Sequence, residues 1–519
     1  MKKFLDTIDK RAFFPPAILL VIAMLVGIFF PEQLGMAADK AFAFTTTNFG
    51  WFYAIGCTFF TLFSLWAGFS KYGSIRLGGE DAKPEMSFGT WFAIALTSGI
   101  AIGIVFYGVA EPLMNFMTPP PFTGMEPGGA DAAESALAYT FMNWALHPYG
   151  IYTSGGLCIA FMFYNAKRKY KLSSALYPLL GDKVDGNVGS WINALAIIAL
   201  VGGIGTSLGI GVLQAASGIN YVFDKNIDFS TLYAIIIAVM VVIYVGAACT
   251  GLHKGIAIIS NLNVYVYGLL ILGAFIFGGS LFILNNTFTG IGKYLSMIIE
   301  QSFYLESAHQ SGWVNNNTIF YYAWWLSFAP MIGLFLIKLA KGRTIREFVL
   351  VNMVAPVLFT FVWFGVFGSS SINFELQGIN TISQDIATFG TPVALFAYVK
   401  NLPFAPILTL LGFLAILFSF VTLAESQTLT ISEITCKEEM LEGEGDDKNA
   451  PVMLKVFWGL LMGLMAFALL QSGGINALQT AVIVCGLPIL ILMLFMAAAY
   501  IKSMLHHEEY DLTIKQKNK

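Results

Sequence analysis

The sequence predicts an all-α polytopic membrane protein with twelve transmembrane helices, and three observations carry that prediction. The first is composition: of 519 residues, 57% are hydrophobic and 11% charged. Soluble domains carry about a quarter charged residues, and the mean hydropathy here is +0.72. The second is the grouping of the apolar residues into uncharged runs such as Ala12–Phe30 and Thr231–Cys249. A hydrocarbon layer about 30 Å thick needs roughly 20 apolar residues per helix. The third is the placement of Lys and Arg, which follows from the elements taken in order. Alternating strands of an outer-membrane barrel are not seen.

The first span, 13–31, follows Lys2, Lys3, Lys10 and Arg11. Its apolar run is too long for a signal peptide and no cleavage site follows, so it reads as a helix that stays. The next spans are 51–70, 88–115, 136–164, 190–221, 231–249 and 255–284, each closed by Gly, Pro or charged residues. The remaining five are 318–337, 348–368, 403–430, 452–472 and 476–501. With the N-terminus inside, 24 of the 28 Lys and Arg fall in cytoplasmic segments, and Lys40, Lys225, Lys293 and Lys400 fall outside. Cytoplasmic loops collect Lys and Arg, and one missed helix would reverse every later loop. Both termini are therefore expected in the cytoplasm of a bacterial-type inner (plasma) membrane.

The connections 286–317 and 369–402 are expected as external loops with short surface helices, and Pro119–Gly129 as an external loop without Lys or Arg. Glu438–Asp447 reads as a solvated acidic loop, and the tail from Leu505 leaves no room for a regulatory domain. Cys57, Cys158, Cys249, Cys436 and Cys485 show no CxxC spacing, so free thiols are expected. A net charge of −3 without a basic arm gives no sign of nucleic acid.

Transporters bind near the bilayer midplane, where helices are interrupted by Gly or Pro. Two such stretches stand five spans apart: Thr97-Ser-Gly99-Ile-Ala101-Ile-Gly103 with Phe106 and Glu111-Pro112 in the third, and Tyr321-Tyr-Ala-Trp324-Trp325-Leu-Ser-Phe328-Ala-Pro330 in the eighth. For Gly99 and Gly103 close helix packing stands beside the binding role. Trp144, His147, Tyr149 and Tyr152 crowd the fourth span, away from its ends. Aromatic faces hold quaternary ammonium groups, and core filling is the other reading.

At these residues the sequence resembles the betaine/choline/carnitine transporter (BCCT) family. The motifs are Trp144-Ala-Leu-His-Pro-Tyr149-Gly-Ile-Tyr152, Ile319-Phe-Tyr-Tyr-Ala-Trp-Trp325, Gly342-Arg-Thr-Ile-Arg-Glu-Phe348 and Phe106-Tyr-Gly-Val-Ala-Glu-Pro112. The resemblance implies LeuT-like inverted five-helix repeats, spans 3–7 and 8–12, and a homotrimer. It divides the chain into an N-terminal part with two extra helices (1–87), a first repeat (88–285), an external loop (286–317), a second repeat (318–502) and a tail (503–519). It implies an aromatic box of Trp144, Tyr149, Tyr152 and Trp325, with Trp324 and Phe328 along the path and Phe106 as a gate. Gly99, Ala101 and Gly103 would present backbone to the other end of the substrate. Tyr149 and Phe328 stand where relatives often carry Trp, and Ala101 replaces a frequent Gly. No acidic residue stands in that stretch, which favours a zwitterion such as glycine betaine or carnitine over choline, and a small methylamine such as trimethylamine stays open.

Na⁺ is the coupling ion that the resemblance brings, and no other cofactor is expected. Its candidate site joins main-chain carbonyls near Thr97, Ile100 and Ser419 to the Thr422 hydroxyl. Leu200 and Ile204 stand where sodium-driven relatives carry threonines, so symport and exchange both stay open. Glu111 and Glu425 read as near helix ends, and His147 as a partner for the carbonyl that Pro148 frees. An enzyme is disfavoured, because only His147 of five His lies in a span and no HExxH or GxSxG occurs. No repeated filter sequence suggests a channel.

Overall fold

The computed structural model describes residues 2–250, 255–379, 381–441 and 449–517, and among them no strand occurs beyond the isolated bridges Ile8–Cys436 and Arg76–Thr344. The long helices are α1 (Lys10–Phe29), α2 (Pro31–Phe69), α3 (Phe88–Met117), α4 (Ala130–Trp144), α5 (Leu146–Tyr164), α6 (Asn187–Val222) and α7 (Phe229–Thr250). They continue as α8 (Gly255–Phe277), α9 (Ser280–Phe303), α10 (Phe320–Lys338), α11 (Ile345–Leu376), α12 (Ala405–Ile434), α13 (Val452–Gly473) and α14 (Ile475–Leu505). Among the described residues ten helices are long and apolar enough to cross a membrane, eleven if α3 is counted across its bend. The fourth expected span is two helices meeting at Ala145. The chain is a multi-pass membrane protein.

Two elements differ from expectation, and part of a third lies outside the described residues. The stretch read as an external loop from 286 is half helix: α8 stops at Phe277, Gly279 takes a left-handed φ of 92°, and α9 runs on to Phe303 against α4 and α11. Only glycine takes that conformation without strain, which separates α9 from the seventh span. The eighth span is not interrupted at Pro330, which α10 carries inside it; one π-helical turn, Asn315–Ile319, precedes the helix. Of the acidic loop, residues 442–448 lie outside the described residues.

Two packing features position the site. The helices α5 and α10 meet backbone to backbone: a Cβ added at Gly333 would lie 2.6 Å from Gly156 N, and one at Gly155 2.7 Å from Ala329 O. Small residues permit such approach where no solvent drives association, and the contact brings the two aromatic motifs together. Beyond the end of α10, the Gly342–Phe348 motif forms a capping box. Thr344 Oγ1 accepts from Glu347 N at 3.1 Å and Glu347 Oε2 from Thr344 N at 2.7 Å, satisfying two donors that open a helix. Leu77 N donates to Arg343 O and Gly342 N to Leu77 O, both at 2.9 Å, so this turn is stitched to the loop after α2.

Candidate substrate-binding site

The site is built around the break at Ala145, whose φ of −101° and ψ of −112° end α4 and start α5. Pro148 has no N–H to return to the Trp144 carbonyl, and a freed carbonyl in a membrane must find another donor. Thr360 of α11 supplies it, its Oγ1 donating to Trp144 O at 3.1 Å. The Asn143 carbonyl takes the Trp325 indole N–H at 3.0 Å, and Leu146 N donates to Tyr294 OH at 3.2 Å. The side chains that heal the break are thus partly those of the aromatic site. His147 does not cap the freed carbonyl, contrary to expectation; its Nε2 pairs with Ser302 Oγ of α9 at 3.0 Å.

Trp144, Tyr152, Trp324 and Trp325 come together with at most 4% exposure. Ring centroids are 5.1 Å apart for Trp144–Trp325 (83°) and 5.5 Å for Tyr152–Trp325 (79°), both edge to face; Trp324 stacks on Trp325 at 5.7 Å. Each such pair adds about 0.5–1.5 kcal/mol beyond its buried area. The Trp324 indole donates to Ser207 Oγ of α6 at 3.3 Å. Tyr149 joins by hydrogen bond, its hydroxyl 3.0 Å from Thr360 Oγ1. Phe328, one turn past Trp325, lies against α6, where a Cβ at Gly203 would come within 2.9 Å of its ring. Phe106 packs on Tyr107 at 4.7 Å, and Tyr107 on Trp144 at 5.6 Å.

Gly103 does packing work: a Cβ there would lie 2.8 Å from Trp144 Cη2 and 3.3 Å from Trp324 Cη2. Between Phe88–Thr97 and Ile102–Met117 the axis of α3 turns by 63°, as expected where glycines interrupt a helix. The side chains of 98–101, and with them the roles expected of Gly99, Ile100 and Ala101, lie outside the described residues.

Glu111 is the residue that sequence reasoning misplaced. Six residues before the end of α3, its carboxylate is buried, 4% exposed, and accepts from three donors on two helices. Trp144 Nε1 (2.5 Å) and Tyr321 OH (2.5 Å) donate to Oε2, and Asn143 Nδ2 (2.7 Å) to Oε1. Bonds to a charged acceptor are roughly twice as strong as neutral ones, so Glu111 fixes the Trp144 indole. The signal was available: Glu111 lies one turn beyond Tyr107 on α3 and directly before Pro112.

A cavity of about 340 Å³ leads to this cluster, with Tyr107, Glu111, Trp313, Phe320, Tyr321 and Gln479 in its wall. Below the cluster the opposite end of α10 is tied down. Lys338 Nζ pairs with Glu433 Oε1 of α12 at 2.5 Å, Tyr164 OH donates to Ile337 O at 2.8 Å and Tyr170 OH to Leu334 O at 2.6 Å.

The hydroxyls of the candidate Na⁺ residues are engaged within the bundle. Thr97 and Thr422 hydroxyls donate to Ala93 O (2.9 Å) and Phe418 O (2.7 Å) of their own helices. Ser419 Oγ is engaged by Asn263 Nδ2 (3.1 Å) and Tyr267 OH (2.6 Å). Glu425 was also expected near a helix end; it lies fully buried within α12, and neither carboxylate oxygen has a hydrogen-bond partner.

Comparison with known proteins agrees with the motifs. Residues 11–509 match the family described as "BCCT, betaine/carnitine/choline family transporter". The chain is 35% identical over 97% of its length to a probable glycine betaine transporter of Desulfitobacterium hafniense, of which it covers 99%. It is 36% identical to the glycine betaine transporter OpuD of Bacillus subtilis, covering 93% of this chain and 92% of that one. It is 32% identical to the osmo-independent choline transporter BetT1 of Acinetobacter baylyi, covering 94% and 92%. The chain belongs to the betaine/carnitine/choline transporter family, a family of carriers and not of enzymes.

Proposed function

We propose that this chain carries a small methylated-ammonium zwitterion, glycine betaine or a carnitine-like compound, across the inner membrane by alternating access. The observation that carries the reading is the Trp144–Tyr152–Trp324–Trp325 cluster. Its indole N–H groups are turned away into bonds with Glu111, Asn143 and Ser207, so π-faces are what remains for a ligand. A trimethylated nitrogen has no N–H to donate, and cation–π contact supplies about 0.5–2 kcal/mol per face. In this reading Tyr149, fixed through Thr360, with Phe106 and Phe328, completes the path. Relatives named as glycine betaine transporters support the zwitterion.

A second reading, a cation such as choline or trimethylamine, is favoured by Glu111, whose carboxylate lines the 340 Å³ cavity. Against it, that carboxylate is already satisfied by three donors. The charge partition supports cytoplasmic termini, and the motif resemblance supports a trimer.

The test compares glycine betaine with 3,3-dimethylbutanoate, which has carbon in place of the ammonium nitrogen at nearly the same shape. Titration calorimetry on the purified protein should show binding at least about fivefold weaker for the neutral-headed compound, as two or more faces at about 0.5–2 kcal/mol require. Equal affinities would remove the cation–π basis of the reading.

A further inference from the structure

Glu425 plays no part in the aromatic site, yet it is a buried carboxylate, 0% exposed, with neither oxygen hydrogen-bonded. It stands one turn beyond Thr422 and nine residues before the end of α12, a helix that packs on α3 and α10, the carriers of the other half of the site. An ionised carboxylate left this way is costly, and a membrane carboxylate that persists usually has a functional partner.

The groups facing that part of α12 limit what the partner is. From α13 comes Lys455, the charged side chain that acts on Glu425, whose Nζ donates to Ala248 O at 3.0 Å. From α10 comes Lys338, held by Glu433 of α12 itself. From α7 and α8 come the phenols of Tyr244, on Gly459 O, and Tyr267, on Ser419. Among the described residues α3 and α6 bring no charged side chain to this half of the helix, and His253 and Lys254 lie outside the description. A metal ion would need a shell of about six oxygens. No group of three His, Cys, Asp or Glu able to hold one gathers among the described residues. A proton needs only one carboxylate.

We propose that Glu425 is a proton site that couples transport to a proton gradient, an inference resting on the transport reading above. A proton neutralises the carboxylate where it is buried, as it is in this structure. Alternation then exposes the group to the cytoplasm, where the proton passes to water and the carboxylate is left to face Lys455. One proton accompanies one substrate, so a gradient of one pH unit supports about tenfold accumulation.

The test has an arm that needs no substrate. Infrared difference spectra at pH 7 between wild type and Glu425→Gln should show a protonated-carboxyl stretch, shifted in heavy water and present only in the wild type. In proteoliposomes carrying a pH-sensitive dye, labelled glycine betaine should enter severalfold faster under an inward proton gradient and acidify the lumen. Glu425→Gln should keep exchange of internal for external betaine while losing both the acceleration and the acidification, and Glu425→Asp should keep all three. A missing carboxyl band overturns the proton site whatever the substrate is, as does gradient-driven uptake that persists in Glu425→Gln. An intact band with no betaine uptake in the wild type overturns the substrate reading instead.

Discussion

Replacing Glu111 by alanine should loosen the aromatic site from behind without touching any ring. The carboxylate receives Trp144 Nε1, Tyr321 OH and Asn143 Nδ2 from α4 and α10, all at 2.5–2.7 Å. Truncation leaves three buried donors without acceptors, at about 1–3 kcal/mol each. Relaxation recovers part of that, so a loss of about 2–5 kcal/mol in stability is expected. The ligand loses less: freeing the Trp144 ring removes one cation–π contact, about 0.5–2 kcal/mol, or roughly 2- to 30-fold in Kd. Glu111→Gln offers one acceptor oxygen in place of two and no charge, so it should fall between wild type and Glu111→Ala on both scales. Thermal melts of the purified protein, with glycine betaine Kd from tryptophan fluorescence, read the two effects separately. A Glu111→Ala protein that melts and binds like wild type would refute the reasoning, because the hydrogen bonds would then hold nothing.

Other changes probe the same frame. Trp325→Leu removes a π-face and leaves the Asn143 carbonyl without its donor; betaine affinity should fall at least about tenfold, from the cation–π term plus a disordered break, as read by the same fluorescence titration. Gly103→Val places side-chain carbon where even a Cβ lies 2.8 Å from Trp144, so binding should weaken sharply, while Gly246→Ala, with open space at its Cβ, should affect binding little. Thr360→Val strips the donor from Trp144 O and the partner from Tyr149, with an expected cost of about 1–3 kcal/mol in a melt. Glu433→Gln breaks the ion pair that ties α10 to α12, whose side chains are 14% and 2% exposed; labelling of a cysteine introduced at Leu334 by a thiol reagent should speed up.

Much of the architecture was legible because a bilayer imposes few solutions on a backbone. Uncharged runs such as Thr231–Cys249 have one reading, and the expected α7 coincides with Phe229–Thr250. The break in the aromatic span was harder. Pro148 signals it only jointly with Thr360, more than two hundred residues away, which supplies the missing donor. Pro330 carries the same local signal and causes no break, since α10 runs through it. Local sequence therefore marks where a helix is weak, while tertiary partners decide whether it yields. The same holds for charge: Glu111 and Glu425 look alike in sequence, yet one is saturated by three donors and the other has none. Gly279 shows the reverse case, where one residue with φ of 92° separates a helix that hydropathy alone merges with a loop.

The most direct test of the central claim is uptake of labelled glycine betaine into proteoliposomes holding the wild-type protein or Trp325→Leu, with unlabelled carnitine, choline and trimethylamine as competitors. Saturable uptake that the methylated compounds inhibit, and that falls at least about tenfold in Trp325→Leu at sub-saturating betaine, is the predicted result. Uptake that does not saturate, or that survives the loss of Trp325 unchanged, would contradict it.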